Sequence, residues 1–211
     1  MLHSRRGNPL WFPCFSLVPW VAPEWKRHAG SQSGIGFDPA SSRRIGGLTA
    51  GGKLTSEDWR EAALALIQGE STLTLATAGE AGPWSAPVYY VCLDGIFYFF
   101  SSPESCHIRQ AMASGGAAAS LFHQSDSWQA IRGIQMMGTV ERIRSVGLST
   151  KAVVSYLKRF PFTREFFPDN PTPDPDAFFS RFKTRLYAFK PTVVYYMDNR
   201  FGFGTRQRID Y

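Results

Sequence analysis

Residues 101 to 109 read Ser101, Ser102, Pro103, Glu104, Ser105, Cys106, His107, Ile108, Arg109. Hydroxyls, an imidazole and a guanidinium thus meet where a strand-forming aromatic run gives way to a helical pattern. Amides at a helix N-terminus, hydroxyl donors and a nearby cation form an anion site that suits a phosphate. The same residues also read as a hydroxyl-capped helix start with no ligand. Other constellations are missing: there is no G-x-S-x-G, no H-E-x-x-H and no metal-spaced pair of His or Cys residues, so hydrolase and metalloenzyme readings have no support. His123 has no ligand set or nucleophile near it in sequence and reads as a structural or surface residue. Gly47 to Lys53 has the G-x-x-x-x-G-K spacing of a phosphate loop, but Leu54 stands where Ser or Thr must reach Mg²⁺ and no strand precedes it.

The elements that must carry the 101–109 cluster are legible on both sides. Thr55 with Asp58, followed by Trp59, Ala63, Leu66 and Ile67 at helical spacing, predicts a capped amphipathic helix ending near Gly69. Alternation predicts strands at Ser71–Ala78 and Ser85–Cys92, and Asp94-Gly95 predicts the hairpin turn into Ile96–Ser101. A short helix over Glu104–Ala113 leads to longer strands at Ala117–His123 and Ala130–Ile143. Ala152, Val153, Tyr156 and Leu157 mark a helix over Ser149–Arg159 that Pro161 stops. A proline-rich loop, Pro168–Pro175, precedes a helix capped by Asp176 and running to Phe182. Strands at Arg185–Lys190 and Val193–Met197 then lead into a tail, Asp198 to Gly204. Seven short strands in runs, with few helices, predict a mainly β protein: a small closed barrel with peripheral helices.

Composition narrows the function classes. The 211 residues are 44% hydrophobic and 19% charged, enough for one globular domain with a core, and no apolar run approaches the roughly 20 residues of a spanning helix. The formal net charge is +6, but it is uneven. Residues 1–54 hold Arg5, Arg6, Lys26, Arg27, Arg43, Arg44 and Lys53 against Glu24 and Asp38, a balance of +5, which leaves +1 for residues 55–211. A near-neutral folded part argues against a nucleic-acid partner. Five prolines and a Gly/Ser-rich stretch from Gly30 to Gly52 make residues 1–54 read as a poorly ordered basic tail, leaving residues 55–211 as the domain. Leu10–Ala22 after Arg5 and Arg6 has the texture of an export signal, but Glu24, Trp25 and Lys26 occupy the place of a small-residue cleavage site. Cys14, Cys92 and Cys106 are odd in number and follow no metal spacing, which points to a reduced compartment and a cytoplasmic protein.

The strands "TLTLAT" and "SAPVYYV", the join "FYFFSSPESCH" and the strand "IRGIQMMGTVERI" resemble the FMN-binding split-barrel superfamily that includes pyridoxamine 5′-phosphate oxidase. With "ESCHIR", "KRFPF" and the terminal "DNRFGFG", the chain is similar to a small, functionally uncharacterised bacterial branch of it, over roughly residues 56 to 206. The resemblance implies a six-stranded split barrel, a homodimer, and FMN in a groove shared by the two subunits. It implies that Ser101, Ser105 and His107 hold the flavin phosphate, with His107 where the oxidase has a lysine and Cys106 where it has an arginine. Two further cations of the oxidase are replaced within Ala86–Val91, leaving Arg132 or Arg109 to compensate for a phosphate of nearly two negative charges. The backbone of Val88, Tyr89 and Tyr90 would face the isoalloxazine, and Arg132 and Gln135 would reach phosphate or ring from one subunit or the other. Tyr89, Tyr90 and Phe203 are stacking candidates whose bland alternative is core packing. Asn199, Gly202 and Gly204 would close the site, or form an ordinary turn. The implied function is an FMN-dependent oxidoreductase acting on a small molecule. Alternatives are a non-catalytic flavin-binding protein for storage or sensing, and a split barrel that uses deazaflavin or haem.

Overall fold

In the computed structural model, which describes residues 54–166 and 175–210, Thr55 caps the first helix, α1 (Ser56–Gly69). The Asp58 amide donates to Thr55 Oγ1 at 3.2 Å, and the Thr55 amide donates to the Asp58 carboxylate at 2.7 Å, so two orphan helix donors are satisfied reciprocally. The basic segment up to Lys53, with its G-x-x-x-x-G-K run, and residues 168–174 of the proline-rich loop lie outside the described residues. After α1 come β1 (Thr72–Gly79), β2 (Gly82–Leu93), β3 (Ile96–Ser101), α2 (Cys106–Ser114), β4 (Ala117–His123) and β5 (Arg132–Arg142). The chain continues through α3 (Val146–Arg159), α4 (Pro175–Phe182), β6 (Arg185–Asp198) and β7 (Arg206–Arg208). No described helix is long and apolar enough to cross a membrane.

All pairings are antiparallel and run in the order β3-β2-β1-β4-β5-β6-β7, with β3 also pairing β6. That last pairing closes β1 to β6 into a six-stranded barrel and leaves β7 as an added strand, confirming the mainly β split-barrel expectation. The period-2 alternation sends Leu73, Leu75, Val88, Tyr90, Phe97, Phe99, Ile134, Phe189 and Tyr196 inward, where they form one buried cluster with α1. A second cluster lies outside the barrel wall. There Val91, Tyr98, Leu186 and Ala188 are covered by Ala152, Val153, Tyr156 and Leu157 of α3 and by Phe178 of α4. Three- and four-residue spacing on α3 thus meets alternation on three strands, which is why that helix docks there.

Two expectations need correction. Arg185–Lys190 and Val193–Met197 are not two strands but the ends of β6, which runs 14 residues without interruption. Pro191 suggests a break because it has no N–H, yet it sits at a bulge: Met137 pairs Val193, Gly138 pairs Pro191, and Thr192 is the extra residue. The tail also returns after Gly204, and Arg206–Arg208 pairs with Tyr195–Met197 as β7. Its three exposed polar side chains carry no alternation, so no periodicity marks it as a strand.

The bulge depends on Gly138. A Cβ there would fall inside the Lys190 carbonyl and come within 2.9 Å of Pro191 Cα, both backbone atoms that cannot swing away. Gly138→Ala should therefore cost roughly 2–4 kcal/mol of stability, read by urea denaturation, whereas Gly147→Ala, where a Cβ meets nothing, should cost far less. Equal effects at the two positions would remove the bulge from this account.

Candidate functional site

β2 and β3 pair only over Tyr90–Leu93 and Ile96–Phe99. Beyond that the ladder ends, and the join from β3 to α2 occupies the split. Ser101 and His107 are both buried here, and Ser105 is half-buried. Ser101 Oγ lies 2.8 Å from His107 Nε2 and 3.1 Å from Ser105 Oγ, and Ser105 Oγ lies 3.3 Å from the same ring nitrogen. Ser105 Oγ donates to the Ser102 carbonyl at 2.8 Å. One arrangement satisfies every group: His107 Nε2–H donates to Ser101, Ser101 to Ser105, and Ser105 to the carbonyl. Burial lowers the His107 pKa below its ordinary 6.5, so the imidazole is neutral at pH 7. The join therefore offers polar hydrogen-bonding groups without a positive charge. Its nearest cation in sequence is Arg109, exposed on α2.

α2 closes this end of the barrel. Thr77 Oγ1 donates to Gln110 Oε1 at 2.7 Å, and Gln110 Nε2 donates to the Gly82 carbonyl at 2.9 Å, so the helix is tied to both strands of the first hairpin.

The other expected site residues are dispersed. Val88 and Tyr90 point into the barrel. The Tyr90 ring is 0% exposed and its hydroxyl donates to the Ile67 carbonyl at 2.6 Å, so it cannot stack on a ligand outside the wall. Tyr89 is 46% exposed on the outer face, where its ring meets Phe160 at 5.0 Å and Phe162 at 5.6 Å. Gln135 is exposed on the outer face of β5, between Ser120 and Tyr195. Arg132 pairs His123 on one side and Asp198 on the other, at the start of β5. Through β6 the ladder leads from Arg142 to Tyr187 and on to Phe99, two residues before the join. Arg132 Nε is buried without a hydrogen-bond partner.

The C-terminal residues form a clamp. Asn199 Nδ2 donates to the Trp128 carbonyl at 2.8 Å, and Asn199 Oδ1 accepts from the Gly204 amide at 2.9 Å. Gly202 and Gly204 hold positive φ of 126° and 70°, which the turn requires and other side chains resist. Phe203 is 84% exposed, with its ring 5.9 Å from Trp128.

Two features have no counterpart in the sequence reading. Arg185 is paired with Ser101 across β3 and β6, which places a guanidinium-bearing residue beside the join. No local motif could reveal this, because the pairing spans 84 residues of chain. Among the described residues, the outer face of β1, β4 and β5 also carries no helix. There Ala76, Ala118, Trp84 and Ser85 line an open groove of about 660 Å³, and Phe122 and Met137 are 64% and 58% exposed. Alternating small residues were its only sequence signal.

Comparison with known proteins agrees with the barrel. The family model described as pyridoxamine 5′-phosphate oxidase matches residues 59–195. No curated protein matches the sequence. Among solved structures, a conserved hypothetical protein from Mycobacterium tuberculosis is 21% identical with a TM-score of 0.54, covering 66% of this chain and 85% of that one. A haem-binding protein from Mycobacterium smegmatis is 18% identical with a TM-score of 0.53, covering 74% of this chain and 58% of its own. The haem storage protein HutZ from Vibrio cholerae is 14% identical with a TM-score of 0.51, covering 63% and 89% respectively.

A depressed histidine pKa has a stability consequence of definite sign. Between the folded value and 6.5 the unfolded chain binds more protons, so this contribution is full above about pH 6.5 and is lost as the pH falls through the folded value. Thermal melts should show stability declining on acidification below pH 6.5, with a shallower decline for His107→Gln. Parallel profiles for the two proteins would contradict a buried neutral imidazole.

Proposed function

The chain belongs to the pyridoxamine 5′-phosphate oxidase family, and from that premise we propose that it binds FMN as a homodimer and works as an oxidoreductase on a small molecule. The observation that supports this reading is the Ser101–Ser105–His107 cluster after β3, whose two hydroxyls can turn from their bonds to each other and to the Ser102 carbonyl and donate to phosphate oxygens instead. The bare outer face supports the second half of the site. Its groove is shallow and apolar, as half of a ring-binding slot is when a second subunit supplies the rest. FMN when bound supplies the redox chemistry, and the chain's own residues anchor it and limit what approaches. Cys106 carries a free thiol, which supports a cytoplasmic setting.

A haem-binding or storage role is the second reading. It is favoured by the lack of a cation among Ser101, Ser105 and His107, which leaves Arg185 alone beside the join to meet an FMN phosphate, and by the likeness to a haem-binding and a haem storage protein.

Titrating the full chain with FMN and following fluorescence quenching separates the readings. Saturation near one FMN per chain is expected, weakened about tenfold by Ser101→Ala or His107→Ala, the usual scale of a lost phosphate hydrogen bond. A Soret band on adding haem, with no flavin quenching, would replace the first reading with the second. Light scattering should give twice the chain mass, and Met137→Lys combined with Phe122→Lys should return it to one.

A further inference from the structure

On the helix-covered side of the barrel, away from the bare face, lies a pocket of about 470 Å³ between α3, α4 and the ends of β5 and β6. Arg142, Arg144 and Arg185 contribute three guanidinium-bearing side chains to its lining, and Asp176 is the one carboxylate there among the described residues. None of the three arginines makes an ion pair among the described residues, whereas Arg60, Lys151, Lys190 and Arg200 each have a carboxylate. Arg185 donates only to the Thr184 carbonyl, at 2.7 Å. Arg142 and Arg185 are close enough to act together on the Tyr187 hydroxyl, whose pKa burial raises and these two cations pull back.

Two further features point the same way. The N-terminal end of α3 borders the pocket through Val146 and Ser149, and this 14-residue helix has no acidic residue in its first turn, so the positive end of its dipole is uncompensated. Ser149 is only 5% exposed and lines the pocket, which places its hydroxyl among the groups that border the same space as the three cations. Phe179, Leu186 and Val146 form an apolar wall beside it.

We propose that this pocket, which borders the join at Arg185 but is lined by none of Ser101, Ser105 and His107, is a second ligand site that binds a phosphate monoester with a small apolar body. Three guanidiniums match a dianion with three terminal oxygens better than a monocarboxylate, which one fork-like guanidinium can already saturate. The Ser149 hydroxyl donates to one oxygen, and the apolar wall takes the ester's body.

Phenyl phosphate and inorganic phosphate are suitable probes for the full-length protein, read by melting temperature and by titration calorimetry. Phenyl phosphate should bind saturably and raise the melting temperature, and inorganic phosphate should bind more weakly because it leaves the wall uncovered. Arg142→Gln and Arg144→Gln, both at exposed positions, should each weaken binding about tenfold without lowering the melting temperature of the free protein. Ser149→Ala should weaken it severalfold. Phenyl phosphate affinity should be the same with and without saturating FMN. No saturable binding, or equal affinity in wild type and the Arg142→Gln, Arg144→Gln double variant, would overturn the site. Competition with FMN would overturn its separateness while leaving the flavin reading intact.

Discussion

β6 closes the barrel, and the remaining architecture depends on how its two edges are used. One edge pairs with β5 from Tyr187 to Asp198. The other is divided, with Arg185–Phe189 pairing β3 and Tyr195–Met197 pairing β7. A strand that served only β5 would leave an open sheet with a row of unpaired donors and acceptors, a template for association with other chains. To span both partners β6 must bend, and the bulge at Gly138, Pro191 and Thr192 supplies the bend. Closure at β3 then fixes Ser101 beside Arg185 and sets where α2 begins.

Charge is distributed around this frame in a way that separates structural roles from binding roles. Asp198 is fully buried at one end of the barrel, yet it is saturated: Tyr196 Oη donates to it at 2.9 Å, and Arg200 donates from its amide and guanidinium at 2.6–3.1 Å. Such a pair is costly to desolvate and specifies a conformation rather than a ligand. Arg159 plays a similar part elsewhere. Its guanidinium lies 5.3 Å from the Tyr90 ring centre and donates to the carbonyls of Ile67, Gln68 and Glu70, which ties the end of α3 to the end of α1. The arginines of the pocket under α3 and α4 have no such partners.

The two outer faces of the barrel differ for a simple reason. Val91, Tyr98, Phe100, Leu186 and Ala188 are large or apolar enough to anchor α3 and α4, and those helices lie in the connection between β5 and β6. Ala76, Ala118, Ser120 and Gln135 are small or polar and hold no helix. What remains on that face is a shallow surface with large apolar side chains at its margins, the usual shape of a surface that meets another molecule.

Local patterns carried most of the fold and the polar join. The capping box at Thr55, the alternation in β1 to β5, the Asp94-Gly95 turn and the α3 stripe are interactions among residues a few positions apart, and periodicity reports them directly. The serine and histidine residues of the join were likewise visible as a cluster because they lie within seven positions of one another. Periodicity misread Pro191, since a proline stops a strand unless a bulge accommodates it, and the Gly138 against which this bulge forms is 53 residues away. It also could not say whether His107 is charged, that Tyr90 faces inward with its hydroxyl on Ile67, or that Arg185 lies beside Ser101. Nor could it assemble Arg142, Arg144, Arg185 and Ser149 into one pocket. Each of these was decided by strand closure and burial, because desolvation, register and convergence of distant side chains exist only once the barrel has formed.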